Sequence, residues 1–306
     1  MYENTGNIIT SNFNDYFEIS NRINTNLEQY NENIKKETTE LNFFYLFGKK
    51  RRFPLYNDLR GALTTFILLL IGTFFHIKNL YSMISLLDKE NNILYKKLMI
   101  LTIITFIITL ITFFYLSTSI PGYQIGEKIS LEHYIEINPV KIINNKIFKL
   151  KYCSTCSIIK NLRTFHCKFC GICIERHDHH CGFISNCIGK NNLKLFFYFL
   201  FISFFHLLPI CIFEFFIIVR LYHLKKIKVK ENKDSDFNCF PVIILGGINL
   251  IFVCFFIFLI TLMIISHIYL ISINKTTNES VRKIDYEDIF NKGCVNNWKE
   301  VFCENN

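Results

Sequence analysis

The sequence predicts an all-α polytopic membrane protein: four transmembrane helices, with a small cysteine-rich domain between the second and the third. Three observations predict it. Of the 306 residues, 51% are hydrophobic, and 33 are Phe. The apolar residues lie in long blocks: 98–126 and 195–213 contain no Asp, Glu, Lys or Arg, and 237–274 is interrupted only by the titratable His267. Between these blocks, the polar stretch 119–194 holds seven of the twelve cysteines, and it is too long for a simple connection.

Each helix follows from length and composition. A helix rises ~1.5 Å per residue, so about 20 apolar residues cross the ~30 Å hydrocarbon layer. The spans are placed at about 62–84, 98–118, 195–218 and 243–266. The first is the weakest, because His76 and Lys78 interrupt it. Buried helices of a soluble core are the alternative, but soluble helices of this length carry a polar face.

The rest of the chain follows from the spans. Residues 1–58 form a cytosolic N-terminal region, flexible over its Asn-, Glu-, Thr- and Ser-rich first 45 residues. No secretory signal is visible, and Met1-Tyr2 lacks the Gly that myristoylation needs, so the first helix serves as its own insertion signal. Residues 59–118 hold helices 1 and 2. Residues 119–194 are the cysteine-rich domain, and 195–271 hold helices 3 and 4 with a luminal loop. In the cytosolic tail, 272–306, Tyr286, Phe290, Trp298, Val301 and Phe302 make a docking face. No repeat of solenoid period is present.

A net charge of +9 raises nucleic acid as a partner, but the chain has no compact basic recognition helix. Basic residues flank membrane segments instead, as in Lys49-Lys50-Arg51-Arg52, which suits anionic lipid on the cytosolic side. The 220–241 loop on the opposite side also carries Arg220, Lys225, Lys226, Lys228, Lys230 and Lys233, so charge alone does not orient the chain. Cysteine chemistry does.

Cys153-x2-Cys156 is followed by His166-Cys167-x2-Cys170-x2-Cys173, then His179-His180-Cys181 and Cys187. Thiols two residues apart place two sulfurs on one metal from a tight turn, and interspersed histidines point to zinc. A disulfide framework is disfavoured by the odd cysteine count and gives the histidines no role. Zinc needs thiolates, which persist in the reducing cytosol. The domain and both termini are therefore placed on the cytosolic face, which completes the expected fold class: a zinc-stabilised cytosolic domain between helices 2 and 3.

Seven Cys and the four His at 166, 177, 179 and 180 make eleven candidate ligands. Two closed sites consume eight, and a short segment lacking its own core needs both metals to fold. Three groups are left over, and spacing does not say which. If Cys181 is among them, then Asp178, His179 and Cys181 supply carboxylate, imidazole and thiol for nucleophilic catalysis.

The stretch 153–196 resembles the cysteine-rich domain of the DHHC family of protein S-acyltransferases, or palmitoyltransferases. The residues that carry the resemblance are Cys153, Cys156, Lys160, Arg163, His166, Cys167, Cys170, Cys173, Asp178-His179-His180-Cys181, Asn186-Cys187, Gly189, Asn192 and Phe196. Thr276-Thr277-Asn278-Glu279 is similar to the family's TTxE motif, Asn297 to Phe302 to its C-terminal motif, and Pro121-Gly122 to part of its Asp-Pro-Gly motif. The resemblance covers about 59–303.

It implies two interleaved structural zinc ions. One is held by Cys153, Cys156, His166 and Cys173, the other by Cys167, Cys170, His180 and Cys187. It implies Cys181 as the acylated nucleophile, His179 as its base, Asp178 as the group that orients His179, and Thr277 beside Asp178. The expected reaction moves a long-chain acyl group, typically from palmitoyl-CoA, through acyl-Cys181 to cysteines of membrane-associated protein substrates, with ping-pong kinetics. Lys160 and Arg163 are candidates for the CoA phosphates, and Phe197 or Phe201 for walls of an acyl cavity. Beyond lipid, acyl-CoA and these substrates, no nucleic-acid partner is expected. The expected membrane is Golgi or endoplasmic reticulum, with the plasma membrane as an alternative.

Four positions depart from the family pattern: Gly182-Phe183 replaces Pro-Trp, Asn161 replaces Pro, Ile120 replaces Asp, and His177 replaces an apolar residue. They bear on rate and substrate range more than on chemistry. His177 is read as a surface residue or one that supports a ligand. Glu214 is read as snorkelling or paired, with Arg220 nearby, and Gly246-Gly247 as a close helix contact. Two other classes fit the sequence less well. A non-catalytic zinc scaffold has no use for Asp178, His179 and Cys181, and a transporter needs more polar groups at mid-membrane.

Overall fold

The structure, a computed structural model, describes residues 43–46, 49–52, 59–86, 89–230, 240–284, 286 and 289–303. The expected flexibility of the N-terminal region falls on residues that lie outside the described ones up to 42. Residues Phe43–Leu46 (β1) and Lys49–Arg52 (β2) pair as an antiparallel hairpin.

Four long helices follow: α1 Leu59–Leu86, α2 Lys89–Ser117, α4 Leu193–Lys230 and α5 Phe240–Ser272, with the short α3 Leu131–Ile137 after α2. Within them, Arg60–Ser82, Ile93–Ser117, Leu193–Ile227 and Phe240–Ser272 are long and apolar enough to cross a membrane. Their outward faces are large hydrophobics such as Phe74, Ile111, Phe216 and Ile251, each more than half exposed, as lipid contact demands. The 220–241 segment is not all loop, as expected from its charges. Arg220 to Lys230 continue α4, because Lys and Arg are good helix formers once the helix has left the hydrocarbon. Lys233 lies outside the described residues.

One polar knot ties α1 to α4, with α5 packed against it. Glu214 of α4 is fully buried; His76 Nδ1 of α1 lies 2.6 Å from it, and the Asn79 amide also donates to it. Arg220 is not its partner. Gly246 of α5 makes room for the knot: a Cβ there would lie 2.8 Å from Glu214 Oε1, whereas a Cβ on Gly247 would meet nothing. Close packing is thus the role of Gly246 alone. His206, also on α4, is held by Thr73 and Thr105 at 3.3 and 3.0 Å.

The expectation of an all-α fold is corrected in the cysteine-rich segment, which is built from β-hairpins. These are β3 Val140–Ile143 with β4 Lys146–Lys149, β5 Lys151–Cys153 with β6 Ile158–Lys160, β7 Phe165–Cys167 with β8 Ile172–Ile174, and β9 His179–Cys181 with β10 Asn186–Ile188. A thiol pair two residues apart belongs in a tight turn, and a tight turn between extended flanks makes a hairpin, which helical periodicity does not reveal.

The ends of all four long helices converge on this segment. The Ala62 amide at the start of α1 donates to Ser185 Oγ at 3.0 Å, and Ser117 Oγ at the end of α2 donates to the Ile184 carbonyl at 2.6 Å. Asn192, just before α4, accepts from the Gly189 amide at 2.9 Å and donates to Ser119 Oγ and the Cys187 carbonyl, each at 2.9 Å. Beyond α5, α6 (Thr277–Val281) opens on a capping box made by Thr276 and Glu279. The tail helix α7 (Cys294–Phe302) docks as expected: Val301 is buried, Trp298 stacks on Phe302, and both meet Phe197 edge-on.

Candidate active site and metal centres

Two sets of soft ligands converge as the sequence suggested: Cys153, Cys156, His166 and Cys173, and separately Cys167, Cys170, His180 and Cys187. His166 Nδ1 lies 3.6, 3.3 and 3.9 Å from the sulfurs of Cys153, Cys156 and Cys173. His180 Nδ1 lies 3.6, 3.6 and 3.5 Å from those of Cys167, Cys170 and Cys187. Tetrahedral zinc, with Zn–N about 2.0–2.1 Å and Zn–S about 2.3 Å, sets such atoms roughly 3.5 Å apart. The donor sets and their spacing both fit zinc.

The hairpins also show a regularity that the sequence reading missed. Each ligand of the first set has its counterpart 14 residues later in the second: Cys153 and Cys167, Cys156 and Cys170, His166 and His180, Cys173 and Cys187. The left-handed turn residues Ser157, Gly171 and Ser185 keep the same step. So do the cysteines that end the first strand of each hairpin, Cys153, Cys167 and Cys181, paired with Ile158, Ile172 and Asn186. In the third unit the second thiol is replaced by Ile184, which is fully buried among apolar neighbours. Cys181 is therefore the first cysteine of a knuckle that has no second one.

Asp178 and His179 lead into that hairpin. His179 Nδ1 lies 2.7 Å from Asp178 Oδ2, which fixes the ring and leaves Nε2 buried, without a well-formed hydrogen bond. Burial disfavours charge on His179, but the Asp178 carboxylate and then the Cys181 thiol outweigh it and push the imidazole up to about 9. Burial opposes charge on Asp178 too, yet donors from His179 and His267 hold its carboxyl well below the usual carboxylate range. Thr277 adds two hydrogen bonds, from its amide to Oδ1 at 2.8 Å and from its hydroxyl to Oδ2 at 2.7 Å. The structure thus brings together Asp178, His179, Cys181 and Thr277. It adds His267 from α5, with Nε2 3.5 Å from Asp178 Oδ2. Sequence reading treated His267 only as an interruption in an apolar run; the one signal was a histidine near the end of a span.

Cys181 lines a cavity of about 110 Å³ between α1, α4 and α5. Thr65, Leu68 and Gly72 of α1 line it, with Phe196, Phe199, Leu200 and Ile210 of α4, and Phe252, Phe256 and Ile260 of α5. Phe183 of the hairpin turn lines it as well. Phe197 and Phe201 are not among the lining residues: one helical step turns Phe197 away, against Trp298 and Phe302.

Two further expectations change. Arg163 is not free for a CoA phosphate. Its guanidinium is buried, donates to both Glu279 oxygens at 2.6 and 2.8 Å and to Asn274, and lies over the Phe290 ring. Lys160, half-buried on β6 opposite Lys151, is not committed in this way. Of the two roles expected for His177, the surface one is replaced by the ligand-supporting one: it is buried, Asn278 donates to its Nδ1 at 3.1 Å, so Nε2 carries the hydrogen and donates to the Cys187 sulfur at 3.6 Å.

A bundle of membrane-length helices that presents a thiol, an imidazole and a carboxylate at the mouth of an apolar cavity defines a membrane-embedded cysteine site. Comparison with known proteins narrows the class. Residues 146–284 match the family described as DHHC palmitoyltransferase. It is 37% identical over 163 residues to probable protein S-acyltransferase 6 of Arabidopsis thaliana, covering 52% of this chain and 38% of that one. Against palmitoyltransferase ZDHHC9 of Homo sapiens it is 36% identical over 169 residues, 53% of this chain and 43% of that one. The chain thus spans less than half the length of these relatives.

Proposed function

We propose that the protein is a palmitoyl-type protein S-acyltransferase. Cys181 is its nucleophile, His179 its base and Asp178 the residue that positions His179. One observation carries this reading: Cys181, beside an imidazole held by a carboxylate at 2.7 Å, also lines the apolar cavity. A thioester placed there has its carbonyl at the sulfur and its chain among Phe196, Leu200 and Phe252.

The chemistry proceeds in two exchanges. His179 Nε2 takes the Cys181 proton, the sulfur attacks the acyl-CoA carbonyl, and the carbon–sulfur bond to CoA breaks. The leaving CoA thiolate takes the proton from the imidazolium, which leaves acyl-Cys181 and a neutral base. A substrate cysteine then gives its proton to the same nitrogen and accepts the acyl group, which regenerates the Cys181 thiol. At about 0.8 kcal/mol per buried methylene, a long chain is bound strongly by such a cavity.

Each four-ligand set would hold one structural zinc, which supplies folding free energy and takes no part in the exchange. Lys160 is the candidate for a CoA phosphate. The donor enters from the cytosolic face of an endomembrane, where the thiolates of both zinc sets stay reduced.

The test is direct. The purified chain is incubated with labelled palmitoyl-CoA and probed for hydroxylamine-sensitive label, alongside Cys181→Ser with its zinc content checked. Label on the wild type alone is expected. An unlabelled wild type overturns the reading.

A further inference from the structure

His267 belongs to α5 and carries no part of the four-residue signature, yet it points at the carboxylate behind the base. Its Nε2 lies 3.5 Å from Asp178 Oδ2, and both side chains are about nineteen-twentieths buried. Its other nitrogen, Nδ1, lies 2.8 Å from the Met263 carbonyl; a carbonyl only accepts, so Nδ1 carries a hydrogen, the ring is locked, and Nε2 attracts the carboxylate as part of an imidazolium–carboxylate pair rather than as a neutral donor. The ring packs on Phe196 at 5.2 Å between centroids, and Phe196 packs edge-on against His179 at 5.3 Å. His267 Nε2 is buried with no partner in full hydrogen-bond geometry, so the carboxylate is the polar group it faces.

Asp178 needs such a neighbour. A carboxylate turns freely about its Cβ–Cγ bond, and both donors from Thr277 come from one short helix. Rotation of that carboxylate would release His179 Nδ1 and with it the direction in which Nε2 points. Resting on the acyl-transfer reading, we propose that His267 is a positioning residue: with Thr277 it clamps Asp178 from the membrane side and holds His179 against Cys181. Through it, α5, which also lines the acyl cavity with Phe256 and Ile260, is joined to the base.

The test compares His267→Phe with His267→Gln in single-turnover labelling of Cys181 by palmitoyl-CoA, with zinc content as the check on folding. Phe keeps the ring against Phe196 and removes the polar nitrogen. Gln removes the ring and returns an amide donor near the same place. The expected result is that H267F lowers kcat by about 10–100-fold, as loss of a supporting hydrogen bond does, with KM for palmitoyl-CoA unchanged, and that H267Q recovers most of that loss. A purely structural role predicts the reverse order, because Phe fills the space and Gln does not. H267F as fast as wild type, H267Q as slow as H267F, or a change confined to KM overturns the inference and leaves the acyl-transfer reading intact. If H267F loses zinc, His267→Met carries the apolar arm. An unlabelled wild type instead removes the acyl-transfer reading, and this inference with it.

Discussion

Arg163 and Glu279 form a forked ion pair, Nε to Oε1 at 2.6 Å and Nη2 to Oε2 at 2.8 Å, almost completely buried between the cysteine-rich hairpins and the turn after α5. The same Glu279 closes the capping box on Thr276, so one carboxylate joins the fork to the helix whose first residue, Thr277, holds Asp178.

Breaking this fork leaves an uncompensated buried charge. Arg163→Ala or Glu279→Ala is expected to destabilise the protein by about 3–5 kcal/mol, and the double variant Arg163→Met with Glu279→Leu by less than either. Thermal unfolding in detergent checks the ordering. A double variant as unstable as the sum of the two single ones would contradict it.

Gly61 and Gly182 meet backbone to backbone: a Cβ on Gly61 would lie 1.9 Å from the Gly182 carbonyl oxygen, whereas one on Gly182 would touch nothing. Gly61→Ala is therefore expected to push α1 away from the Cys181 turn, at a cost of about 1–3 kcal/mol, and to slow labelling of Cys181. Gly182→Ala is expected to fold and react like the wild type. Equal behaviour of the two variants would show that the contact does not constrain the turn.

Zinc stoichiometry separates ligands from neighbours. Cys187→Ala is expected to lose zinc, and His179→Ala to keep both equivalents while losing transfer. His177→Phe should keep both at rest but release one faster to a chelator, with affinity lower by about 10–100-fold, because the Cys187 sulfur loses a hydrogen bond. Unchanged release kinetics would leave His177 without a metal-supporting role.

The imidazole of His179 titrates near 9 because the Asp178 carboxylate outweighs its burial. A base must be neutral to accept a proton, so labelling of Cys181 is expected to rise with pH toward that value. Its folded value lies above the ordinary value near 6.5, so the stability it contributes is complete below about 6.5 and is lost as pH rises through about 9. Asp178→Asn removes the carboxylate charge: the rate midpoint should move to lower pH while the plateau falls. A midpoint that stays in place would mean that another group controls it.

The parts of this fold that were legible in the sequence are those that local composition dictates. Apolar blocks located four spans, thiol spacing pointed to metal, and the family resemblance divided the ligands into two sets. The remainder depended on rotation and distance. Phe196 and Phe197 are adjacent and identical in type, but only the first lines the cavity. Glu214 found its partner His76 on another helix, 138 residues away. Arg163 looked like a surface cation because its acceptor, Glu279, lies 116 residues later. Helix ends were blurred because the charges from Arg220 to Lys230 suit both a loop and a helix that has left the membrane.

The 14-residue step gives the nucleophile a different meaning. Each four-donor set joins two successive hairpins, Cys153 and Cys156 with His166 and Cys173, then Cys167 and Cys170 with His180 and Cys187, and what the three hairpins gain is rigidity. Hairpin three keeps the shape, the turn at Ser185 and the leading cysteine, but Ile184 stands where a thiol would complete the pattern. Its sulfur keeps the exposure and direction of a ligand without the ion that would quench it. On the proposed reading, reactivity comes from an interrupted symmetry: two ligand sets supply a stiff frame, and Cys181, outside both sets, is the thiol left for a substrate.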